Sequence, residues 1–398
     1  MQYSKSLLRK VQVLVDQILP QVTEVRRDLH QNPELGFEEI RTARIVNDWL
    51  TGCRISTRTG VAKTGVVGLL SGGAAGNTVG LRADMDALPM TENTGIDYSS
   101  KTPGKAHSCG HDGHTAILMG TAKVLSMIKS EFDGNVKFIF QPAEERGEGG
   151  EKMCAEGALD DPKVDSIFAL HSWPHLPAGE IGVRYGVMTA NTDDFEITLL
   201  GRGGHGAHPD QTIDPIVMAA QVVNAFQTIV SRCTDPLSPA VVTIGKIQSG
   251  SARNIIPSSA SLAGTVRTLH DESKEVVFRS MKQIVNSIAN MYEAPPPSLE
   301  IIPGCPAVVN DTASSELIQH VADEIIGRSS VIDEPSMGGE DFAYYLQRVP
   351  GAMFRLGVVS QDETSNASLH SDKFNFNDNA LRSGMLMLSG IALEFLSR

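Results

Sequence analysis

Residues 107–114 read HSCGHDGH and place His107, Cys109, His111, Asp112 and His114 within eight positions. Thiolate, imidazole and carboxylate are the groups that hold transition metals in proteins. Cys109 and His111 are two apart, so on an extended segment they project to one side. The helix expected to begin near His114 turns its positive end toward them, which favours a thiolate. Glu144 and Glu145 follow the strand-like NVKFIF (135–140), and His171 follows SIFAL. His370 lies in SNASLHSDKF, after the strand-like GAMFRLGVV (351–359). In open α/β sheets functional groups gather beyond the carboxyl ends of strands, so these segments can converge on one crevice.

Taken singly, each residue has an ordinary explanation. A histidine at a strand end is usually hydrogen-bonded structure, a buried cysteine is packing, and adjacent glutamates make a solvated turn. The recurrence of ligand-type residues at the ends of several core strands argues for a site. Five potential ligands, Cys109, His111, Glu145, His171 and His370, exceed what one tetrahedral catalytic metal takes from protein. Two divalent ions sharing ligands and a water fit better, because paired metals generate hydroxide and polarise a carbonyl together. Neighbouring glutamates on irregular backbone point in different directions, so one can bind metal while the other acts as general base. Thiolate and imidazole suit zinc, and carboxylate suits manganese, with cobalt or nickel compatible with the same set.

These residues need a scaffold. Leu7, Leu8, Val11, Leu14, Val15, Ile18, Leu19, Val22, Val25 and Leu29 follow three-four spacing and predict a long opening helix with one buried face. Strands are expected at 65–70, 78–88, 135–140 and 166–171, with a helix over 115–128, an alternation typical of a buried α/β sheet. GGAAG (72–76) reads as a hairpin turn that would make the sheet mixed. The pattern changes near residue 190, where strands at 194–201, 240–247 and 261–269 alternate with helices at 214–232 and 273–292. A strand at 351–359 and a closing helix at 379–396 resume the first pattern. The fold class is therefore α/β: a catalytic domain at 1–188 and 303–398 with a mixed central sheet flanked by helices, split by a smaller α+β domain at 189–302.

Composition bounds the function. The 398 residues carry 34 Lys plus Arg against 47 Asp plus Glu, and a net charge of −13 repels a phosphate backbone. Nucleic acid is not an expected partner. No run approaches the roughly 18 apolar residues of a membrane span, and five scattered cysteines do not form a disulfide framework. A cytoplasmic protein without a membrane partner is expected. Two competing classes remain. GRGGHG (201–206) matches a dinucleotide-binding fingerprint, which would make the protein an oxidoreductase, but Pro209 and Pro215 delay any helix and no acidic residue follows at ribose distance. A non-catalytic metal-stabilised binding protein would use the ligands but leave Glu144 without a purpose.

Taken together, DLHQNPELGFEE, RADMDALPM, HSCGHDGHTA, FQPAEE, HSWP, GRGGHGAHP, NIIPSSASLAGTVRT and MGGEDFAYY occur in that order over nearly the whole chain. In this respect the sequence resembles the hippurate hydrolase and N-acyl-amino-acid amidohydrolase branch of the aminoacylase/carboxypeptidase metallopeptidase family, which includes indole-acetyl-amino-acid hydrolases. The resemblance implies a binuclear hydrolase of N-acyl or N-aroyl amino acids, with short peptides as a second class. It implies a lid domain that mediates homodimerisation or a higher homo-oligomer. By matching motifs, Cys109, His111, Glu145, His171 and His370 would be metal ligands and Glu144 the general base. His205 and Asn254 would contact the substrate's carbonyl and carboxylate, with Arg267 as a further substrate contact. Asp84 and Asp86 align with the metal motif of more distant relatives, but this branch does not use them as ligands; Asp86 is expected to orient a ligand histidine. His208 and Asp210 depart from the branch's commoner continuation of GGH, so substrate preference does not carry over from close relatives there.

Overall fold

The computed structural model describes residues 5–327, 329–360 and 367–398. Its elements begin with α1 (Lys5–Gln31), α2 (Ile40–Gly52), β1 (Ser56–Val61), β2 (Gly65–Ser71), β3 (Thr78–Asp84), α3 (His111–Met127), β4 (Asn135–Gln141), α4 (Gly149–Ala155), β5 (Ser166–Pro177), β6 (Ile181–Val183) and β7 (Gly186–Val187). There follow β8 (Asn191–Leu200), β9 (Gly204–His205), α5 (Pro215–Thr228), β10 (Ala240–Ser249), β11 (Ile255–Ile256), β12 (Ser259–Thr268), α6 (Asp271–Met291) and β13 (Ser298–Pro303). The chain closes with β14 (Val309–Asn310), α7 (Thr312–Ile325), β15 (Ser329–Val331), α8 (Ala343–Leu346), β16 (Gly351–Val359) and α9 (Asn379–Leu396).

Contacts divide the chain into a larger unit, Met1–Met188, Val309–Glu334 and Asp341–Arg398, and a smaller one, Thr189–Val308 and Pro335–Glu340. The smaller unit thus runs past the expected end at residue 302 and takes a second segment placed by sequence in the catalytic domain. Hydrogen bonding explains both departures. Thr192 and Asn191 hold Cys305 and Ala307, and the Ala190 amide donates to the Gly338 carbonyl (3.0 Å).

In the larger unit the sheet order is β1-β2-β4-β3-β5-β16-β6-β15. The sheet is mixed, but not through a hairpin at GGAAG. β4 lies between β2 and β3, antiparallel to the first and parallel to the second. Both faces of β4 are buried, Val136, Phe138 and Phe140 on one and Lys137, Ile139 and Gln141 on the other, as suits a central strand rather than an edge. Two further expectations shift. β3 ends at Asp84, leaving 85–88 outside the strand, and β5 continues through His171 to Pro177, so that histidine sits within a strand, paired opposite Arg355. α1 buries Leu7, Val11, Leu14, Val15, Ile18, Val22 and Leu29 of the expected series, while Leu8, Leu19 and Val25 are only half-buried at the edge of that face. α9 is buried almost all round, the pattern of a helix enclosed by its own unit. Ser365 and Asn366, at the start of the segment expected to carry His370, lie outside the described residues.

The smaller unit has a sheet in the order β10-β12-β8-β13. β8 alternates buried Phe195, Ile197 and Leu199 with exposed Asp194, Glu196 and Thr198, so one face meets α5 and α6. Phe195 and Phe226 meet edge to face at 6.0 Å in that core. α5 starts on Pro215, with the Asp214 carboxylate accepting from the Ile216 amide (2.9 Å). One expectation needs correction: residues 215–233 are long and apolar enough to cross a membrane by length and composition. Met218, Ala219, Val222, Phe226 and Ile229 of that stretch are buried in the unit's core, which accounts for its apolar character. GRGGHG leads into β9, which pairs with β11, and not into a helix N-terminus, so the dinucleotide alternative has no structural basis.

Candidate metal centre

Gly110 opens the site. It sits just before α3 at φ 90°, and a Cβ there would come within 2.8 Å of the Ser172 hydroxyl. Only glycine makes this turn without strain. α3 therefore begins at His111, earlier than its apolar pattern indicates, and Cys109 and His111 lie on either side of the turn. Their ligand atoms still converge: Cys109, His111 and His171 form one group within 4.8 Å of one another, and Cys109, Glu145 and His370 form a second. His111, Glu144 and Glu145 make a third group at the same spacing. The Cys109 sulfur lies 3.5 Å from His171 Nε2, and Glu145 Oε1 lies 3.3 Å from His370 Nε2.

The tautomers are set from outside. His111 Nδ1 donates to the Asp86 carbonyl (2.9 Å), leaving Nε2 buried and without a hydrogen-bond partner among the described residues. His171 Nδ1 donates to the Ser172 carbonyl (2.8 Å), which turns Nε2 toward Cys109. A histidine that donates through one nitrogen presents the lone pair of the other, the arrangement of a metal ligand. The Asp86 carboxylate also lies at His111, with Oδ1 3.4 Å from Nδ1. Its two oxygens accept from the amides of Glu144 and Glu145, each at 3.0 Å, so that Asp86 ties the backbone of both glutamates to His111.

His114 and His107 share the motif but not this arrangement. His114 Nδ1 donates to Asp84 (2.6 Å) and Nε2 accepts from the Ser172 amide (2.8 Å), so neither nitrogen is left for metal. Asp84 is itself bound by Arg82 (2.7 Å) and lies 3.8 Å from His111 Nε2. His107 is buried against His30, and burial pushes it down to about 3. Asp112 pairs with Arg26 (2.9 Å) and His30 (2.8 Å) behind the site. These partners are distant in sequence, so nothing in HSCGHDGH itself separates ligand from scaffold.

The electrostatics fit a cation. Burial and the Glu145 charge push the Cys109 thiol up, with His111 offsetting part of this. His370 is raised to about 10 by Cys109 and Glu145. Burial lowers His111, yet Asp84 and Cys109 outweigh it and hold the ring well above the usual range. Burial raises Glu145, but His370 and His111 bring it below its ordinary value. Protons thus stand where a divalent ion would displace them, and metal affinity of such a set rises with pH. A thiolate, three imidazoles and a carboxylate in two groups that share one sulfur have the chemistry for two ions.

The remaining expected residues lie in the smaller unit. His205 is exposed on β9, opposite Ile255, and its Nδ1 accepts from the Ala207 amide (3.0 Å), so Nε2 carries the proton. Asn254 is exposed next to it, its carbonyl accepting from the Gly206 amide (2.9 Å). Arg267 is on β12, in register with Thr192 and Val241, and is half-buried.

Against known proteins, the model of Peptidase family M20/M25/M40 matches residues 80–394. An IAA-amino acid hydrolase ILR1-like 4 of Arabidopsis thaliana is 39% identical over 94% of this chain and 85% of its own. An N-acetylcysteine deacetylase of Bacillus subtilis is 39% identical, covering 90% of this chain and 92% of its own. Among solved structures, a dinuclear metal-binding peptidase of Bacillus subtilis superposes with a TM-score of 0.84 at 34% identity, over 96% of this chain and 99% of that one.

Proposed function

Since this chain belongs to Peptidase family M20/M25/M40 and is a metal-dependent amide hydrolase, we propose that its substrates are N-acyl and N-aroyl amino acids, with short peptides as a second class. The observation that carries this reading is the meeting of two three-ligand groups at Cys109, with Glu144 beside them. The relatives that act on amino-acid conjugates, the deacetylase and the IAA-amino acid hydrolase, support the substrate class.

We assign Cys109, His111, Glu145, His171 and His370 to two ions, zinc or manganese, with cobalt or nickel also suited to the donors. Bound there, such ions supply Lewis acidity, lowering the pKa of water and polarising a carbonyl. Glu144 takes a proton from the attacking water as its oxygen bonds to the acyl carbon. When the C–N bond breaks, Glu144 returns that proton to the departing amine, releasing a carboxylic acid and a free amino group. His205, with its proton on Nε2, is suited to donate to the oxyanion, and Asn254 and Arg267 to bind the substrate carboxylate.

Ile216, Val217 and Val230 are exposed on α5 and the π-helical turn after it, and Val241 and Ile247 on the edge strand β10. We assign this apolar surface of the smaller unit to a second copy of the chain, in a homodimer. A reducing cytoplasm suits a ligand thiolate, and none of the five cysteines forms a disulfide. The test is a substrate screen over N-acetyl, N-benzoyl and indole-acetyl amino acids and dipeptides, with metal content measured by mass spectrometry. Turnover confined to dipeptides would refute the substrate class.

A further inference from the structure

The loop after β4 that carries Glu144 and Glu145 is held by two buried carboxylates, and only one of them belongs to the site described above. Asp86 takes the amides of Glu144 and Glu145. The preceding amide, of Ala143, donates to Glu39 Oε1 (2.9 Å), from a residue 104 positions away in sequence. Ala143 has φ 54°, in the left-handed region that a side chain disfavours, and is fully buried. A neighbour of this kind must hold it there. Gly36 supports it from the same segment: a Cβ at Gly36 would lie 3.0 Å from the Cα and Cβ of Ala143.

Glu39 has no other evident task. It stands at the N-cap of α2 but makes no side-chain cap. That work is done by Glu34, whose carboxylate accepts from the amides of Arg41 (3.0 Å) and Thr42 (2.8 Å). Besides Ala143, Glu39 accepts only from the Thr64 hydroxyl (2.5 Å) among the described residues, and no ion pair with a cation is present there. A fully buried carboxylate without a cation carries a stability cost. Burial, with the nearby Asp86 charge, accordingly pushes Glu39 up to about 7 despite the Thr64 hydrogen bond. A costly group wired into the backbone immediately before Glu144 is the signature of positioning.

We propose that Glu39 is a positioning residue for Glu144: through the Ala143 amide it fixes the left-handed backbone step that sets the direction from which the Glu144 carboxylate enters the site. The inference rests on the reading of Glu144 as general base. A misplaced base lowers the rate of proton transfer without weakening substrate binding, and a displacement of about 1 Å costs up to about a hundredfold.

The test compares Glu39→Ala, Glu39→Gln and Glu144→Gln in the metal-loaded full chain, with kcat and KM for N-benzoyl and N-acetyl amino acids, metal content and thermal midpoint. Glu39→Ala should lower kcat by about 10- to 100-fold, with KM and metal content within about twofold of wild type. Glu39→Gln should restore kcat to within about threefold, because its amide oxygen still accepts from Ala143 and its NH2 donates to Thr64. If Glu39→Ala yields no folded protein, Glu39→Asp serves in its place; one methylene shorter, it withdraws from Ala143 and should lower kcat at least about fivefold. A merely structural role would move the thermal midpoint and leave kcat per folded, metal-loaded molecule within twofold, which overturns the inference. Equal loss in Glu39→Ala and Glu39→Gln overturns it as well. An active Glu144→Gln refutes the general-base reading itself; an inactive Glu144→Gln beside a fully active Glu39→Ala removes only the role of Glu39.

Discussion

Replacing Glu39 by Gln should make the protein more stable, and increasingly so as pH rises. In the folded chain burial holds Glu39 at about 7, against 4.5 for the free side chain. Between those values the folded state binds the proton that the unfolded state has released, so wild-type stability falls as pH rises through this window and the full penalty stands above pH 7. At about 1.4 kcal/mol per pH unit, the gap sets an upper limit of about 3 kcal/mol. Glutamine mimics the protonated acid, accepting from Ala143 and donating to Thr64, and does not titrate. The difference between variant and wild type should be near zero at pH 4.5 and should grow to about 1–3 kcal/mol at pH 8. Urea-unfolding midpoints of both proteins at matched metal concentration measure it, since titrating groups that do not interact with Glu39 cancel in the difference. A pH-independent difference, or one that favours wild type at pH 8, would refute the assignment of Glu39 as a buried acid without a cation.

Three further outcomes are expected. Cys109 should resist alkylation in the metal-loaded protein and become reactive after chelation, read by mass spectrometry of the Cys109 peptide; equal labelling in both states would exclude it as a ligand. His205→Ala should lower kcat by about a hundredfold, as loss of an oxyanion donor does, with metal content unchanged; a change confined to KM would make His205 a binding residue only. Phe226→Ala, which removes the ring packed edge to face on Phe195, should cost about 3–5 kcal/mol, and an unfolding midpoint within error of wild type would mean that the smaller unit's core is misassigned.

What could be read from sequence was what local pattern determines. The spacing of α1, the apolar run of α9 and the short strands β2 and β4 each carry their own signal, and α9 was delimited to the residue. The ligand-type residues were legible because unusual side chains recur after apolar, strand-like runs, even though β5 continues past His171. Topology was less so: nothing in GGAAG indicates that β4 will separate β2 from β3, because that depends on which neighbours can bury both faces of β4. The same limit applies within the site. His111 and His114 are alike in sequence, and only the Asp84 carboxylate and the Ser172 amide take up both nitrogens of His114. Asp86 was expected to orient a histidine and it stands against His111, but nothing in the sequence indicated that its carboxylate would also take the amides of Glu144 and Glu145. Glu39 lay within a motif quoted above, but its partner is 104 residues distant. The early start of α3 turns on Gly110, whose left-handed backbone moves the helix N-terminus to His111.

The central claim is a division of labour between adjacent glutamates, and Glu144→Gln tests it most directly when kcat and metal content are measured on the same sample. Glu144 should be required for proton transfer and not for holding metal. The variant should retain two divalent ions per chain and lose at least about a hundredfold in kcat. Full metal content with near-native turnover would contradict the account, and so would loss of metal in step with loss of activity.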